Sequence, residues 1–127
     1  MWPDRRVIDL FGIDVPIVQA PMAGPVFADM VVAVCEAGGL GSLPCATMDA
    51  AQVRRELGII RQQTARPINV NFFCHTPAPF DADRDARWRE RLRDYYVEFG
   101  LDPDAPTPRS NRSPFDEEAC KLVEEFR

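Results

Sequence analysis

Val15–Met22 reads VPIVQAPM, a short run of β-branched residues interrupted by proline. Such a run predicts a buried strand that ends in a loop. The next stretch, Phe27–Ala37, predicts a helix whose apolar side chains share one face. The residues of that face are Met30, Val31, Val34 and Cys35. Gly38 and Gly39 should end the helix, because glycine readily adopts the backbone conformation found after a helix C-terminus.

The alternation of strand and helix continues through the following residues. Leu40–Cys45 predicts a second strand, in which Gly41 allows a neighbouring element to pack closely. The residues from Met48 predict a helix with Asp49 as its N-cap and Pro67 just beyond its end, and Pro67–His75 predicts a third strand. The order β-α-β-α-β favours a parallel sheet with right-handed crossovers, which places the chain in the α/β class.

The C-terminal part of the chain is more charged and richer in proline. Arg84–Phe99 predicts a charged helix, and Gly100–Pro114 predicts a long polar loop. A last helix is expected to begin at Ser113, with Pro114 in its first turn, and to continue to the end of the chain. We therefore interpret residues 76–114 as a loop-rich insertion.

Three parallel strands do not complete a sheet of this kind. Buried parallel strands need cover on both faces, and three of them leave two edges open. A (β/α)8 (TIM) barrel needs about 250 residues, whereas this chain has 127. We expect residues 1–127 to be the N-terminal part of a single TIM-barrel domain in a longer enzyme, with three strands and their covering helices.

The composition is ordinary for a soluble domain, with 46% hydrophobic and 28% charged residues. The net charge of −5 argues against nucleic acid as a partner, and the arginines of Arg84–Arg93 alternate with acids as on a solvated helix face. Apolar runs of about eight residues are too short to cross a bilayer. The charged N-terminal residues do not resemble a signal peptide. We expect a cytoplasmic protein that binds neither membranes nor nucleic acid.

The cysteines show no metal-binding or redox motif. They are Cys35, Cys45, Cys74 and Cys120. No C-x-x-C pair is present, and the one histidine, His75, directly follows Cys74, so we predict no metal site. Buried or half-buried free thiols in a reducing compartment are the expected state of these residues.

The predicted first strand is followed by small, unreactive residues at the end of the sheet where ligands bind. In parallel β/α folds, that place is the carboxyl end of the strands. Ala20 is small, Pro21 fixes the backbone and lacks an N–H, and Met22 offers a polarisable thioether. These features suit a flat aromatic ligand lying against the main chain. A plain turn between strand and helix is the alternative interpretation.

Two polar residues of the third strand are further candidates. The amide of Asn71 both donates and accepts hydrogen bonds, which matches a ligand edge such as the pyrimidine end of a flavin. The alternative is that Asn71 caps a neighbouring loop. His75 has an ordinary pKa near neutrality and is the candidate general base within this chain. We favour a structural or pocket-lining role for His75 and assign no catalytic residue.

A glycine-rich stretch raises the question of a dinucleotide site. Gly38–Gly41 reads GGLG, but the third glycine of a G-x-G-x-x-G fingerprint would fall at Pro44. The stretch also precedes a strand instead of following one. The residues therefore exclude a Rossmann-type site.

Four stretches together resemble one enzyme family. They read PIVQAPMAG from Pro16, AVCEAGGLGSL from Ala33, RPINVNFFCH from Arg66 and SPFDEEACKLVEEFR from Ser113. In this order they are similar to the nitronate monooxygenases, formerly called 2-nitropropane dioxygenases, which are FMN-dependent (β/α)8 barrels. The resemblance extends over nearly the whole chain.

The resemblance implies a cofactor, a reaction and a set of contacts. Ala20, Pro21 and Met22 would lie against the isoalloxazine of FMN, and Asn71 would bond to its pyrimidine edge. Members of the family oxidise a nitronate with dioxygen and release a carbonyl compound and nitrite. Their catalytic histidine is on a strand expected beyond residue 127, so that role is not transferred to His75. The loops that hold the FMN phosphate are also expected there. We therefore expect the chain alone to be inactive and to bind FMN weakly or not at all.

Two other interpretations stay open at this point. An FMN-dependent enoyl-thioester reductase would share the APM strand and the glycine-rich second strand, although the long insertion fits the nitronate enzymes better. A non-catalytic half-barrel module would instead close its open sheet edges by dimerising.

Overall fold

A computed structural model describes residues 2–106 and 112–127 of the chain. In chain order these residues form α1 (Arg6–Phe11), α2 (Ala28–Glu36), β1 (Gly41–Pro44), a 3-10 turn (Cys45–Thr47), α3 (Ala50–Gln63), β2 (Ile68–Asn71), α4 (Ala82–Glu98) and α5 (Glu117–Glu124). The short helix α1 was not predicted from the sequence. Within the described ranges, no helix combines the length and the apolar character needed to cross a bilayer.

The chain divides into two compact units. Unit 1 comprises Met1–His75 with Asn111–Arg127, and unit 2 comprises Thr76–Ser110. Part of the predicted loop Gly100–Pro114, residues 107–111, lies outside the described residues. The organisation of the chain as one domain with an insertion stays a prediction.

Unit 1 contains a parallel sheet, as predicted. β1 and β2 pair in parallel, with Gly41 opposite Ile68 and Pro44 opposite Asn71. α3 connects these two strands, so the β-α-β order is present. The α/β class follows from this arrangement.

The first predicted strand is much shorter than Val15–Met22. In the structure only Val18 pairs with Leu40, through bonds of 2.9 Å on either side of it. We call the paired residues, 17–19, the first-strand segment. Proline explains the difference, because Pro16 and Pro21 have no N–H to extend a hydrogen-bonded ladder beyond either end.

The first two predicted helices are confirmed, with one error in the buried face of α2. The carboxylate of Asp49 accepts the N–H of Gln52 at 2.7 Å, so Asp49 caps α3. Gly38, with φ of 90°, follows the end of α2 in the left-handed region. The buried residues of α2 are Ala28, Val31 and Cys35. Met30 is exposed, because one residue along a helix turns the side chain by about 100° away from the buried Val31.

The prediction that the last helix begins at Ser113 is wrong. α5 begins at Glu117, where the carboxylate of Asp116 accepts the N–H of Ala119 at 2.8 Å. Pro114 instead pairs with Phe73, and the N–H of Phe115 donates to the carbonyl of Phe73 at 2.7 Å. Proline also disfavours helical backbone at the residue before it, so the chain enters this helix only after an extended segment.

The core of unit 1 lies between β1, α2 and α3. Its largest fully buried side chains are Leu43, Leu57, Ile60, Val26 and Val31. Gly41 sets how closely α2 approaches β1, since a Cβ on Gly41 would lie 2.4 Å from the carbonyl oxygen of Val31. The predicted role of Gly41 in close packing is therefore confirmed.

Unit 2 is built around α4. The helix begins two residues before the predicted Arg84, because Asp81 caps it by accepting the N–H of Arg84 at 2.9 Å. The guanidinium of Arg89 bonds to the carboxylate of Asp85 at 3.1 Å and to the carbonyl oxygens of Pro103 and Ala105. No residue of α4 is buried, which agrees with a solvated helix.

Replacing Gly41 by alanine should destabilise unit 1 by about 1–3 kcal/mol, because the new methyl group forces α2 away from β1. The matched control is Gly58→Ala on α3, where a Cβ meets nothing nearer than 4.0 Å. That variant should be more stable by roughly 0.5–1 kcal/mol, as expected for glycine replaced within a helix. Urea unfolding of the three proteins measures both effects, and an unchanged midpoint for Gly41→Ala would contradict the packing.

Candidate functional site

The carboxyl end of the sheet carries the residues predicted from the sequence to bind a ligand. Asn71 is the last residue of β2, and Ala20–Gly24 directly follows the first-strand segment. We call Ala20–Gly24 the cradle segment. β1 lies between the first-strand segment and β2, so the cradle segment and Asn71 belong to the same end of the sheet, about 10 Å apart at the usual strand spacing.

The cradle segment is an open turn. The N–H of Val26 donates to the carbonyl of Met22 at 3.2 Å, and Gly24 has φ of 94°, which favours glycine. A Cβ at Gly24 would meet no atom within 4 Å, and the side chain of Met22 is 43% exposed. The N–H groups of Ala20 and Met22 donate to no residue that the structure describes. The turn thus presents small side chains and accessible main-chain donors.

The two asparagines of β2 differ in what they bind. The side-chain amide of Asn69 donates to the hydroxyl of Ser42 at 3.1 Å and so links β2 to β1. Asn71 is half-buried, and within residues 2–106 and 112–127 its side-chain amide has no hydrogen-bond partner. The alternative that Asn71 caps a loop therefore has no supporting contact, and its amide is available to a ligand.

Gln19 is a site residue that the sequence interpretation missed. Its Oε1 accepts the main-chain N–H of Ser42 at 3.2 Å, and its Nε2 lies 3.3 Å from the carbonyl oxygen of Ser42. The same Nε2 donates to the carbonyl of Ala20 at 3.4 Å. The side chain of Gln19 thus provides hydrogen bonds to β1 beyond the point where the main chain stops pairing, since Pro21 has no N–H to donate. The signal in the sequence is a polar amide at the end of an apolar strand, just before a proline.

Glu56 is a second missed residue, and it positions the start of α2. Its Oε2 accepts the N–H of Ala28, the first residue of α2, at 3.1 Å, although Glu56 belongs to α3. Phe27, at the N-cap of α2, has no side chain able to do this. The buried carboxylate of Glu56 therefore fixes the point where the chain leaves the cradle segment and enters the helix.

Among the described residues, His75 and the cysteines take no part in a recognisable catalytic arrangement. His75 is exposed, its ring meets Phe73 edge-on at 5.5 Å, and no described carboxylate bonds to it. All four cysteines are free thiols, and Cys74 is exposed, contrary to the expectation of buried or half-buried thiols. Burial raises the pKa of the Cys45 thiol to about 12, although the main-chain N–H of Asn71 opposes the shift. Cys45 therefore stays protonated at neutral pH and is not a nucleophile.

A cavity of about 380 Å³ lies in unit 1 beside the ends of β1 and β2, where Cys45 and Phe72 directly follow Pro44 and Asn71. Apolar side chains including Met48, Phe72 and Leu122 line it, together with Asp49 and Asp116 at the starts of α3 and α5. Neither the cradle segment nor Asn71 contributes to this cavity. Asn71 therefore borders this cavity without lining it.

Gln19→Ala should lower the free energy of unfolding by about 1–3 kcal/mol, because it leaves the buried N–H of Ser42 without a partner. Gln62→Ala, on the exposed side of α3, is the matched control and should change stability by less than about 0.5 kcal/mol. Urea unfolding monitored by circular dichroism measures both. Equal effects of the two substitutions would show that the Gln19 bonds do not hold the segment.

Comparisons with known proteins identify the relatives of this chain. Residues 4–102 match the family model described as nitronate monooxygenase. A nitronate monooxygenase of Paraburkholderia phytofirmans is 43% identical over 101 residues, which are 80% of this chain and 28% of that protein. A nitronate monooxygenase of Pseudomonas aeruginosa is 40% identical over 98 residues, 77% of this chain and 28% of that protein. The chain thus spans 28% of the length of these relatives.

Solved structures agree with the fold. The nitroalkane oxidase of Streptomyces ansochromogenes superposes with a TM-score of 0.62 at 30% identity, over 90% of this chain and 31% of that one. FabK of Thermotoga maritima gives a TM-score of 0.53 at 30% identity, over 76% of this chain and 28% of that one. Both are TIM barrels, which confirms the predicted fold class, an N-terminal portion of such a barrel. The family match over residues 4–102 and the identities of 40% and 43% show that this chain belongs to the nitronate monooxygenase family.

Proposed function

We propose that the chain forms the FMN-contacting N-terminal part of an enzyme that oxidises alkyl nitronates with dioxygen to a carbonyl compound and nitrite. One observation carries this proposal. The N–H groups of Ala20 and Met22 and the amide of Asn71 all lack described partners at the carboxyl end of one parallel sheet. Membership of the nitronate monooxygenase family supports the reaction.

The residues present fit an isoalloxazine ring. Main-chain N–H donors and small side chains allow a flat ring to lie close to the cradle segment, and the thioether of Met22 is accessible for packing against it. The amide of Asn71 can both donate to and accept from the pyrimidine edge of the ring. Bound FMN would supply the electron transfer between nitronate and dioxygen. The chain would bind and orient the ring, and Gln19 would hold the cradle segment in place.

The FMN phosphate requires other polypeptide, as the charges at the helix N-termini indicate. A helix N-terminus binds phosphate through uncommitted N–H groups and its positive end. In unit 1 each candidate N-terminus already holds a carboxylate: Glu56 at α2, Asp49 at α3 and Asp116 at α5. Each of these carboxylates already accepts one N–H at its helix N-terminus, and its negative charge would repel a phosphate.

Asn71→Ala, introduced into the complete polypeptide that contains this chain, should weaken FMN binding by about 1–3 kcal/mol, roughly 5- to 150-fold in Kd, because the ring edge loses its partner. Gln62→Ala is the control and should bind FMN as the parent protein does. Quenching of flavin fluorescence measures the affinity. An unchanged Kd would remove Asn71 from the site.

Activity separates the proposal from the reductase alternative. The FMN-loaded polypeptide should release nitrite from an alkyl nitronate in the presence of dioxygen, and Asn71→Ala should need more FMN for the same rate. Oxidation of a nicotinamide by an enoyl thioester, without nitrite release from nitronates, would instead support the reductase.

A further inference from the structure

The helix α4 of unit 2 carries an apolar stripe that faces solvent. The stripe consists of Trp88, Leu92 and Tyr95 of α4 and its C-cap residue Phe99, which are 56%, 39%, 58% and 72% exposed. Their spacing of four, three and four residues places them on one face, as in the seam of a coiled coil. We call these four residues the α4 stripe. The neighbouring face of the helix is different, because Arg89 there bonds to the carbonyls of Pro103 and Ala105.

Charged residues lie in a row along the other side of the α4 stripe. Arg84, Arg91 and Glu98 are seven residues apart and therefore flank the stripe at equivalent positions. The guanidinium of Arg91 also lies 5.8 Å from the ring centre of Trp88, so it covers part of the stripe. A partner for this surface must accept apolar side chains and complement a row of two positive charges and one negative charge.

We propose that the α4 stripe is a homodimer interface in which α4 packs antiparallel to α4 of a second copy of this chain. In the antiparallel register, Trp88 lies against Phe99 of the second copy and Leu92 against Tyr95. This register brings Arg91 beside Glu98 of the second copy, and symmetry repeats the pair. A parallel dimer would bring Arg84 beside Arg89 of the second copy, and the repulsion disfavours it. Charge complementarity therefore selects the antiparallel pair.

The size of the interface indicates a weak dimer. Aromatic residues bury about 150–250 Å² each when fully covered, so the partly exposed stripe of two copies can bury on the order of 1,000 Å². Specific interfaces begin at about 1,200 Å² in total. We therefore expect dissociation in the micromolar range. Between Asp83 and Glu98 the helix carries five acidic and five basic residues, so it has no net positive charge to attract an anionic membrane.

Analytical ultracentrifugation of the whole chain over micromolar to submillimolar concentrations tests the interface. The parent chain should show a monomer–dimer equilibrium, and Leu92→Glu should raise its Kd by about tenfold or more, because the dimer would bury an unpaired charge. Leu10→Glu, at a 74% exposed leucine of α1, is the matched control and should leave the Kd unchanged. Circular dichroism should show the same helix content for all three chains.

Charge reversal tests the register. Arg91→Glu and Glu98→Arg should each weaken the dimer several-fold, and the double variant should restore the Kd of the parent chain, since the pair is only reversed. A parent chain that is monomeric at every concentration would overturn the proposal, as would a dimer or larger oligomer that is insensitive to Leu92→Glu. Failure of the double variant to recover would overturn the antiparallel pairing. A monomeric complete polypeptide would show that its own further residues cover the stripe, and would also overturn it.

Discussion

The two-point bond between the side-chain amide of Gln19 and the main chain of Ser42 is the contact on which the candidate site depends. Pro21 ends the hydrogen-bonded pairing of the first-strand segment, so the main chain cannot hold the cradle segment against β1. The amide of Gln19 replaces the missing peptide group. The hydroxyl of Ser42 in turn accepts a hydrogen bond from the side-chain amide of Asn69, which links β1 to β2. Three neighbouring segments are thus joined by polar bonds through one buried serine, and the position of Ala20 relative to Asn71 follows from them.

The two ends of the sheet use their polar groups differently. At the amino end, the guanidinium of Arg66 meets Asp14 at 2.7 Å, and the hydroxyl of Thr64 donates to Glu36 at 2.6 Å. These bonds connect the beginnings and ends of neighbouring elements and serve to stabilise the unit. At the carboxyl end, donors on the cradle segment and the amide of Asn71 lack described partners. In TIM-barrel enzymes, likewise, residues at the amino end of the strands stabilise the fold, and residues at the carboxyl end bind the ligand.

Much of the fold could be predicted from local sequence patterns. The parallel order, α2, α3 and the Asp49 cap follow from apolar periodicity, glycine and capping residues, and each of these acts within a few positions along the chain. The start of α5 could not be predicted in this way, because a distant residue decides it. Pro114 pairs with Phe73, and the residues around Pro114 give no sign of that pairing. The length of the first strand depends on its own prolines, because their missing N–H groups end the hydrogen-bonded pairing although the apolar run continues.

The sequence predicts the residues that face the ligand, but not the side chains that hold them in place. Ala20, Pro21, Met22 and Asn71 were identified from their place at strand ends and from the resemblance to the family, and the structure places them at one end of the sheet. Gln19 and Glu56 were not identified, because their partners, Ser42 and Ala28, lie 23 and 28 residues away along the chain. A single sequence does not reveal such pairings. Side chains that hold a site in place are therefore harder to predict than side chains that face its ligand.

A crystal structure of the complete polypeptide with bound FMN tests the central claim most directly. The claim predicts the isoalloxazine against Ala20–Met22, with its polar edge at hydrogen-bond distance, about 2.7–3.2 Å, from an N–H of the cradle segment and from the amide of Asn71. The bonds from Gln19 to Ser42 should be unchanged. A ring bound elsewhere, with the cradle segment covered by side chains of the protein itself, would contradict it.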